Sequence, residues 1–547
     1  MRQVVSLFLI GFVLMGFAGQ AQTKPAPVTA RPKLVVGFVV DQMRWDFLYR
    51  YADRYGSTGF KRLLKEGMSC ENTFIPYAPT VTACGHTCVY TGSVPAIHGI
   101  TGNNWWDAQL NRDVYCSEDK TVKTVGSNTK AGEMSPRNMF VTTIGDELRL
   151  SNNFRSKVIG VAIKDRGAIL PAGHSANAAY WYDGDNGNWI TSTYYMNELP
   201  AWVSQFNNRK LPDSLMAQNW NTLYPKETYV QSSADDKPYE GRFMGENNTS
   251  TFPHDFSNQG NRKYGTIRST PYGNTLTLAF AKAAIENERL GSNGVTDFLT
   301  VSCSSTDYVG HQYGPNSMEN EDDYLRLDKD LGDFLQYLDA KLGKGNYLFF
   351  LTADHGVAHV PAFMQENKLP GKPFNDGLMM GDLNKKLKER FGADNLIVST
   401  HNYQLALNKV KLDTAKIDRD AVVEFLLPLV KKVEGIANAF DITELNETTL
   451  PEVQKRMFSN GYYHRRCGEI QFVLLPGWID GGNVGTTHGL WNPYDSHIPL
   501  LWFGWKVKPG KLNRETYMSD IAPTVAAMLQ IQMPNGSVGH VITEVMK

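Results

Sequence analysis

Five runs of apolar, largely β-branched or aromatic residues punctuate the chain: Lys33 to Val40, Lys157 to Ile163, Asp297 to Ser302, Tyr347 to Thr352 and His497 to Gly504. They show almost no polar alternation, the signature of strands covered on both faces of a parallel sheet. Helical periodicity lies between them, around Thr58 to Leu64, Asn138 to Leu150, Leu276 to Leu290 and the charged amphipathic Asp322 to Leu342, and again at Ser519 to Leu529. Strands and helices taking turns predict an α/β fold with a mostly parallel central sheet flanked by helices. Three stretches break the rhythm and read as cap-type insertions. They are the polar residues 106–137, the Tyr-, Trp- and Asn-rich 171–270, and 360–465 with helices near 378–391 and 419–433. The expectation is one catalytic domain over 33–547, preceded by a linker at 22–32.

Four of the buried runs give way at once to polar residues. Asp41 comes directly after the first, Lys164 and Arg166 after the second, Asp307 after the third, and Asp354 with His355 after the fourth. In open α/β sheets the carboxyl ends of the strands line the ligand crevice. Taken singly, each Asp reads as a cap or turn residue and Lys164 with Arg166 as a surface pair. Four coincidences together point to a site. Asp307 and His311 are one helical turn apart, and Gly356 lets Asp354 and His355 leave the pleat together. His488 sits in the glycine-rich loop Gly481 to Gly489.

Three Asp and three His suit two borderline cations such as Zn²⁺. Two such ions against three carboxylates leave a net positive charge, which Lys164 and Arg166 increase, a match for a dianionic phosphoryl group. The stretch Pro79 to Thr87 supplies a hydroxyl, Thr82, where a loop becomes a helix. Alone it reads as an N-cap threonine; beside two cations it reads as a nucleophile. Asn103 could add an amide donor, although by itself it reads as a turn residue. His86 and His359 read as structural or exposed.

The chain has 547 residues and a net charge of −1, which argues against nucleic acid or an anionic membrane surface as a partner. Residues 1–21 carry Arg2, an apolar Val4 to Ala18 and the small-residue Gly19-Gln20-Ala21, a secretory signal. A periplasmic or secreted protein without a stable membrane anchor is expected. Export permits disulfides among the six cysteines, and Cys70 with Cys116 is the expected bridge.

The segments Val-Val-Asp41-Gln-Met-Arg-Trp-Asp, Thr82-Ala-Cys-Gly-His, Gly-Asn103, Lys164-Asp-Arg166, Thr-Asp307-Tyr-Val-Gly-His311, Ala-Asp354-His355-Gly and Thr-His488-Gly together resemble the alkaline phosphatase superfamily. They are most similar to its phosphate-irrepressible (PafA-type) bacterial phosphatases. The resemblance implies an alkaline phosphatase-like fold and hydrolysis of small-molecule phosphomonoesters. It implies one zinc held by Asp307, His311 and His488 and another by Asp41, Asp354 and His355. Thr82 would face the metals and form a phosphothreonine, with Asn103, Lys164 and Arg166 binding phosphoryl oxygens; a monomer is expected. Cys84 departs from the family pattern, which has proline there. A phosphodiesterase of the same superfamily would share Thr82 and all six ligands, and a non-catalytic zinc- or glycan-binding exported protein would need no nucleophile.

Overall fold

The computed structural model describes residues 30–243 and 250–546; the expected signal segment and residues 22–29 of the linker lie outside them. Ten strands form one sheet: β1 (Leu34–Val40), β2 (Met68–Phe74), β3 (Thr124–Val125), β4 (Val158–Ala162), β5 (Ala178–Asp183), β6 (Asn188–Ser192), β7 (Asp297–Cys303), β8 (Tyr347–Thr352), β9 (His497–Gly504) and β10 (Gly510–Tyr517). Their spatial order is β10-β2-β9-β8-β1-β7-β4-β5-β6-β3. The central neighbours β8, β1, β7, β4 and β5 are parallel, and only β6 and β9 run against the rest. The expected α/β architecture is present.

Every residue of β1, β4, β7 and β8 is buried, which explains their unbroken apolar sequence. β9 carries the same kind of run yet is antiparallel to both of its neighbours. Its place between β2 and β8 buries it on both faces; the apolar run records burial, not direction.

Three expectations need correction. The 171–270 stretch, expected to leave the sheet, contributes β5 and β6 to it. Its aromatic residues Tyr180, Trp181 and Trp189 are strand formers that pack into the core rather than a surface decoration. The helix expected over Asn138 to Leu150 is confined to Ile144–Leu150, because Thr143 and Asp146 form a capping box that starts it late. The Cys70–Cys116 bridge is not formed, and all six cysteines are free. Cys70 lies on β2 in the main core, whereas Cys116 packs with Trp105 and Val114 in a separate cluster. Burial pushes both thiols up to about 12.

Residues beyond β8 build a second, four-stranded sheet in the order Ile397–Ser399, Gln404–Leu407, Ile470–Leu474 and Ile436–Asp441. Helices Asp376–Phe391 and Arg419–Val430, close to the predicted pair, close a separate core with Leu383, Leu387, Val422 and Leu426. No helix among the described residues is long and apolar enough to cross a membrane.

Candidate metal centre

The carboxyl ends of the parallel strands converge. After β1 the chain turns sharply at Gln42, whose φ of +67° is unusual for a non-glycine residue. The turn aims Asp41 into the crevice. It also lets the Gln42 N–H donate to Asp354 Oδ1 at 3.1 Å and its side-chain amide donate to Asp307 Oδ1 at 2.9 Å. Gly310 is needed opposite: a Cβ there would lie 1.9 Å from Gln42 Oε1.

After β7 comes α1 (Ser305–Tyr313), which carries Asp307 and His311 on one face as the spacing predicts. His311 Nε2 is 3.2 Å and His488 Nε2 3.6 Å from Asp307 Oδ1. After β8, Asp354 and His355 turn inward where Gly356 passes close to Tyr494; a Cβ on Gly356 would meet the Tyr494 carbonyl oxygen at 2.2 Å. His355 Nε2 lies 3.6 Å from Asp41 Oδ1 and 3.5 Å from Asp354 Oδ2.

Two sets of three ligand atoms result: Asp307, His311 and His488, and Asp41, Asp354 and His355, each within 4.8 Å of one another. The imidazoles of His355 and His488 stack across them at 3.5 Å between centroids.

The protonation pattern tests whether metal ions fit. His311 Nδ1 meets the Thr486 carbonyl at 2.8 Å, His488 Nδ1 the Thr80 carbonyl at 2.8 Å, and His355 Nδ1 the Gly356 carbonyl at 2.9 Å. A carbonyl can only accept, so each Nδ1 carries a proton and each ring turns its Nε2, the nitrogen left for a metal, toward carboxylate oxygens. Asp41 Oδ1 is buried without a hydrogen-bond donor. Imidazole nitrogens facing carboxylate oxygens in a buried site call for cations between them, and this donor set fits them.

Electrostatics agree. Burial drives the Asp41 carboxyl well above the usual range, and Asp307 and Asp354 push it further. Burial acts the same way on Asp307, but His311 and Lys164 outweigh it and hold that carboxyl well below its usual value. Burial likewise depresses His355 and His488, which favours the neutral, metal-binding imidazole.

Lys164 lies at the centre. Its Nζ is 2.7 Å from Asp41 Oδ2, 2.5 Å from Asp307 Oδ2 and 3.5 Å from Thr82 Oγ1. Burial works against this ammonium, yet Asp307 and Asp41 keep it charged. The strand-end geometry expected for Lys164 and Arg166 is not what positions them. Lys164 caps helix Asp165–Ala172 and Arg166 sits in its first turn. The Arg166 guanidinium is steered by the 106–137 insertion, donating to the Tyr115 hydroxyl at 3.1 Å while that hydroxyl donates to Asp165 at 2.5 Å. Arg166 Nε is buried and unpartnered.

Thr82 is the first residue of helix Thr82–Thr91, with Val81 in the N-cap position, so the capping reading does not hold. Its Oγ1 is 3.3 Å from His355 Nε2. Asn103 accepts the Ala83 N–H at 2.9 Å through its side-chain carbonyl, which fastens the turn to the start of this helix. Cys84 is the third residue of the same helix, where a backbone N–H has no intrahelical partner, so the position accepts either proline or cysteine without breaking the helix's hydrogen-bond ladder.

Three residues escaped sequence reasoning. Gln42 joins both ligand sets, although nothing in the sequence reveals its left-handed backbone. Tyr115 lies in the polar insertion. His86, read only as structural or exposed, is fully buried with Nδ1 2.9 Å from the Thr82 carbonyl and 3.1 Å from Asp354 Oδ2. Its four-residue spacing from Thr82 was the available signal. His359 lies away from the cluster, against Arg44 and Asn316.

A sequence model of the type I phosphodiesterase/nucleotide pyrophosphatase family matches residues 35–495. The chain is 56% identical over 540 residues to alkaline phosphatase PhoV of Synechococcus elongatus, covering 96% of each. It is 50% identical over 542 residues to alkaline phosphatase PafA of Elizabethkingia meningoseptica, covering 98% of each. The crystal structure of wild-type PafA superposes with a TM-score of 0.92 at 50% identity, over 95% of this chain and 100% of that one. The chain belongs to the type I phosphodiesterase/nucleotide pyrophosphatase family, within the alkaline phosphatase superfamily.

Proposed function

We propose that this protein is an exported phosphate monoesterase that transfers a phosphoryl group to Thr82 and then to water, releasing inorganic phosphate. The observation that carries the reading is the buried Lys164 ammonium, seated between Asp41 and Asp307 and 3.5 Å from Thr82 Oγ1. Its charge lies beside the hydroxyl that would bond phosphorus, where a dianionic ester brings its oxygens.

Asp307, His311 and His488 would hold one divalent cation and Asp41, Asp354 and His355 a second, zinc by the mixed imidazole and carboxylate donor set. When bound, such ions supply positive charge that makes a hydroxyl easier to ionise and a departing ester oxygen easier to release. Thr82 Oγ then forms the new bond to phosphorus as the alcohol's ester oxygen leaves with the bonding pair. Water later displaces Thr82 and regenerates the hydroxyl. Lys164 and Arg166 hold the non-bridging oxygens through both steps, Arg166 with two parallel N–H donors. Asn103 orients the Thr82 turn, and its amide completes the oxygen-binding set.

The family description favours a second reading, a phosphodiesterase. A diester carries an uncharged ester group where a monoester carries a charged oxygen, so Lys164 and Arg166 bring most to the monoester. Arg166→Ala should lower kcat/KM for phenyl phosphate by about 100-fold or more, and for a phenyl methyl diester by far less. Equal losses on both substrates would favour the diesterase.

A further inference from the structure

Beside helix α1 lies a cavity of about 570 Å³ that the proposed reaction does not use. Arg242, Arg262 and Arg268 line it, with Asp185 the one acidic side chain among its described walls. Arg268 Nε donates to the Gly265 carbonyl at 3.0 Å and an Arg262 amine to the Asn258 carbonyl at 3.2 Å, contacts that orient the guanidinium groups without neutralising them. None of the three arginines reaches a carboxylate at ion-pair distance among the described residues. Gln312 lines the same cavity, and its side-chain N–H₂ is buried without an acceptor. Three cations without an ion-pair partner among the described residues, and an orphaned donor, around one hollow are the complement of a compact, multiply charged anion.

The cavity lies close to the candidate metal centre. Gln312 directly follows His311. Arg268 Cζ lies 5.3 Å from the Tyr308 ring centroid and Lys164 Nζ lies 5.1 Å from the same centroid. The Tyr308 ring therefore lies within cation–π distance of both Lys164, beside Thr82, and Arg268, in the second hollow. That spacing is within the reach of a single phosphorylated sugar.

We propose that the cavity is a leaving-group subsite for a second phosphate. Preferred substrates are then small molecules carrying two phosphoryl groups, one cleaved at Thr82 and the other held by Arg242, Arg262 and Arg268. This rests on the monoesterase reading above and names its substrate class.

The test compares initial kcat/KM for glucose 1,6-bisphosphate with that for glucose 6-phosphate. The full-length, metal-loaded protein should favour the bisphosphate by about tenfold or more, the scale of one or two added charge-assisted hydrogen bonds. In the Arg242→Ala/Arg262→Ala double variant, both positions being exposed, the ratio should collapse toward unity. In the unaltered protein it should fall as salt is raised from low to high ionic strength. Brisk turnover of both sugars with a ratio near unity, or a ratio indifferent to the double substitution and to salt, overturns the subsite while leaving the monoesterase intact. Hydrolysis of neither sugar alongside turnover of a diester overturns both.

Discussion

Two buried clusters of acidic residues in this molecule invite comparison. At the strand ends, Asp41, Asp307 and Asp354 converge with three histidines and Lys164. Beside the long helix Met318–Leu342, the buried Glu240, Glu319 and Asp235 gather near His254. Each brings three buried carboxyls together with imidazole. Their protonation distinguishes them. At the strand ends Asp307 and Asp354 are held below the usual carboxylate range, because neighbouring imidazoles and Lys164 outweigh burial. In the second cluster burial raises Glu240, Glu319 and Asp235, and repulsion from neighbouring carboxylates adds to it at Glu240 and Glu319. Two of the three strand-end carboxyls are thus held ionised, with Asp41 alone raised beside them, whereas all three of the second cluster are raised. Buried carboxylates alone do not make a metal centre; imidazoles oriented by backbone carbonyls and a buried ammonium do.

The largest expected effect separates the clusters by activity. Thr82→Ala should reduce kcat/KM for phenyl phosphate by about 10⁴-fold or more, as loss of a nucleophile does. Glu319→Gln should leave it within about threefold, the range of distant substitutions. Full turnover by the Thr82 variant with its metal content unchanged would remove the nucleophile from the proposal. Next comes metal dependence. Chelation should abolish turnover and lower the thermal midpoint, since a tightly bound ion contributes about 3–4 kcal/mol when present well above its Kd. Asp307→Asn should erase the response of the midpoint to zinc, and Glu319→Gln should preserve it. If the glutamate variant also loses the response, the second cluster holds a cation too and the contrast fails.

How far the sequence reveals this arrangement depends on what each residue's position rests upon. Asp41, Asp307, Asp354 and His355 were legible because buried parallel strands announce themselves by composition and their ends by the first polar residue. His488 was legible from its glycine-rich loop only in company with the others. Lys164 and Arg166 were placed at the right end of the right strand but by the wrong geometry, because the helix begins one residue after Lys164 rather than later. Gln42 was not legible at all. Its bridging role depends on a left-handed turn and on Gly310 opposite, a tertiary coincidence that no local pattern encodes. The bridge expected between Cys70 and Cys116 failed for a related reason: cysteine count says nothing about which core each thiol enters.

The smallest expected effect concerns stability and sharpens the contrast from the other side. Burial and the neighbouring Glu319 raise the Glu240 carboxyl from 4.5 to about 9. A carboxyl whose folded value lies above its unfolded one makes the native state the better proton binder between those two values. Its contribution to stability is complete below about 4.5 and is lost progressively as pH rises toward about 9. Between pH 7 and 8.5 this amounts to about 2 kcal/mol, at roughly 1.4 kcal/mol per pH unit. Glu240→Gln keeps the shape and hydrogen-bonding capacity of the neutral acid but has no proton to lose. Its denaturation midpoint should therefore fall less steeply with alkaline pH than that of the unaltered protein, and the two curves should draw together near pH 5. Parallel curves from pH 5 to 8.5 would mean that Glu240 is already ionised in the folded state, and that the second cluster, like the first, is held together by positive charge.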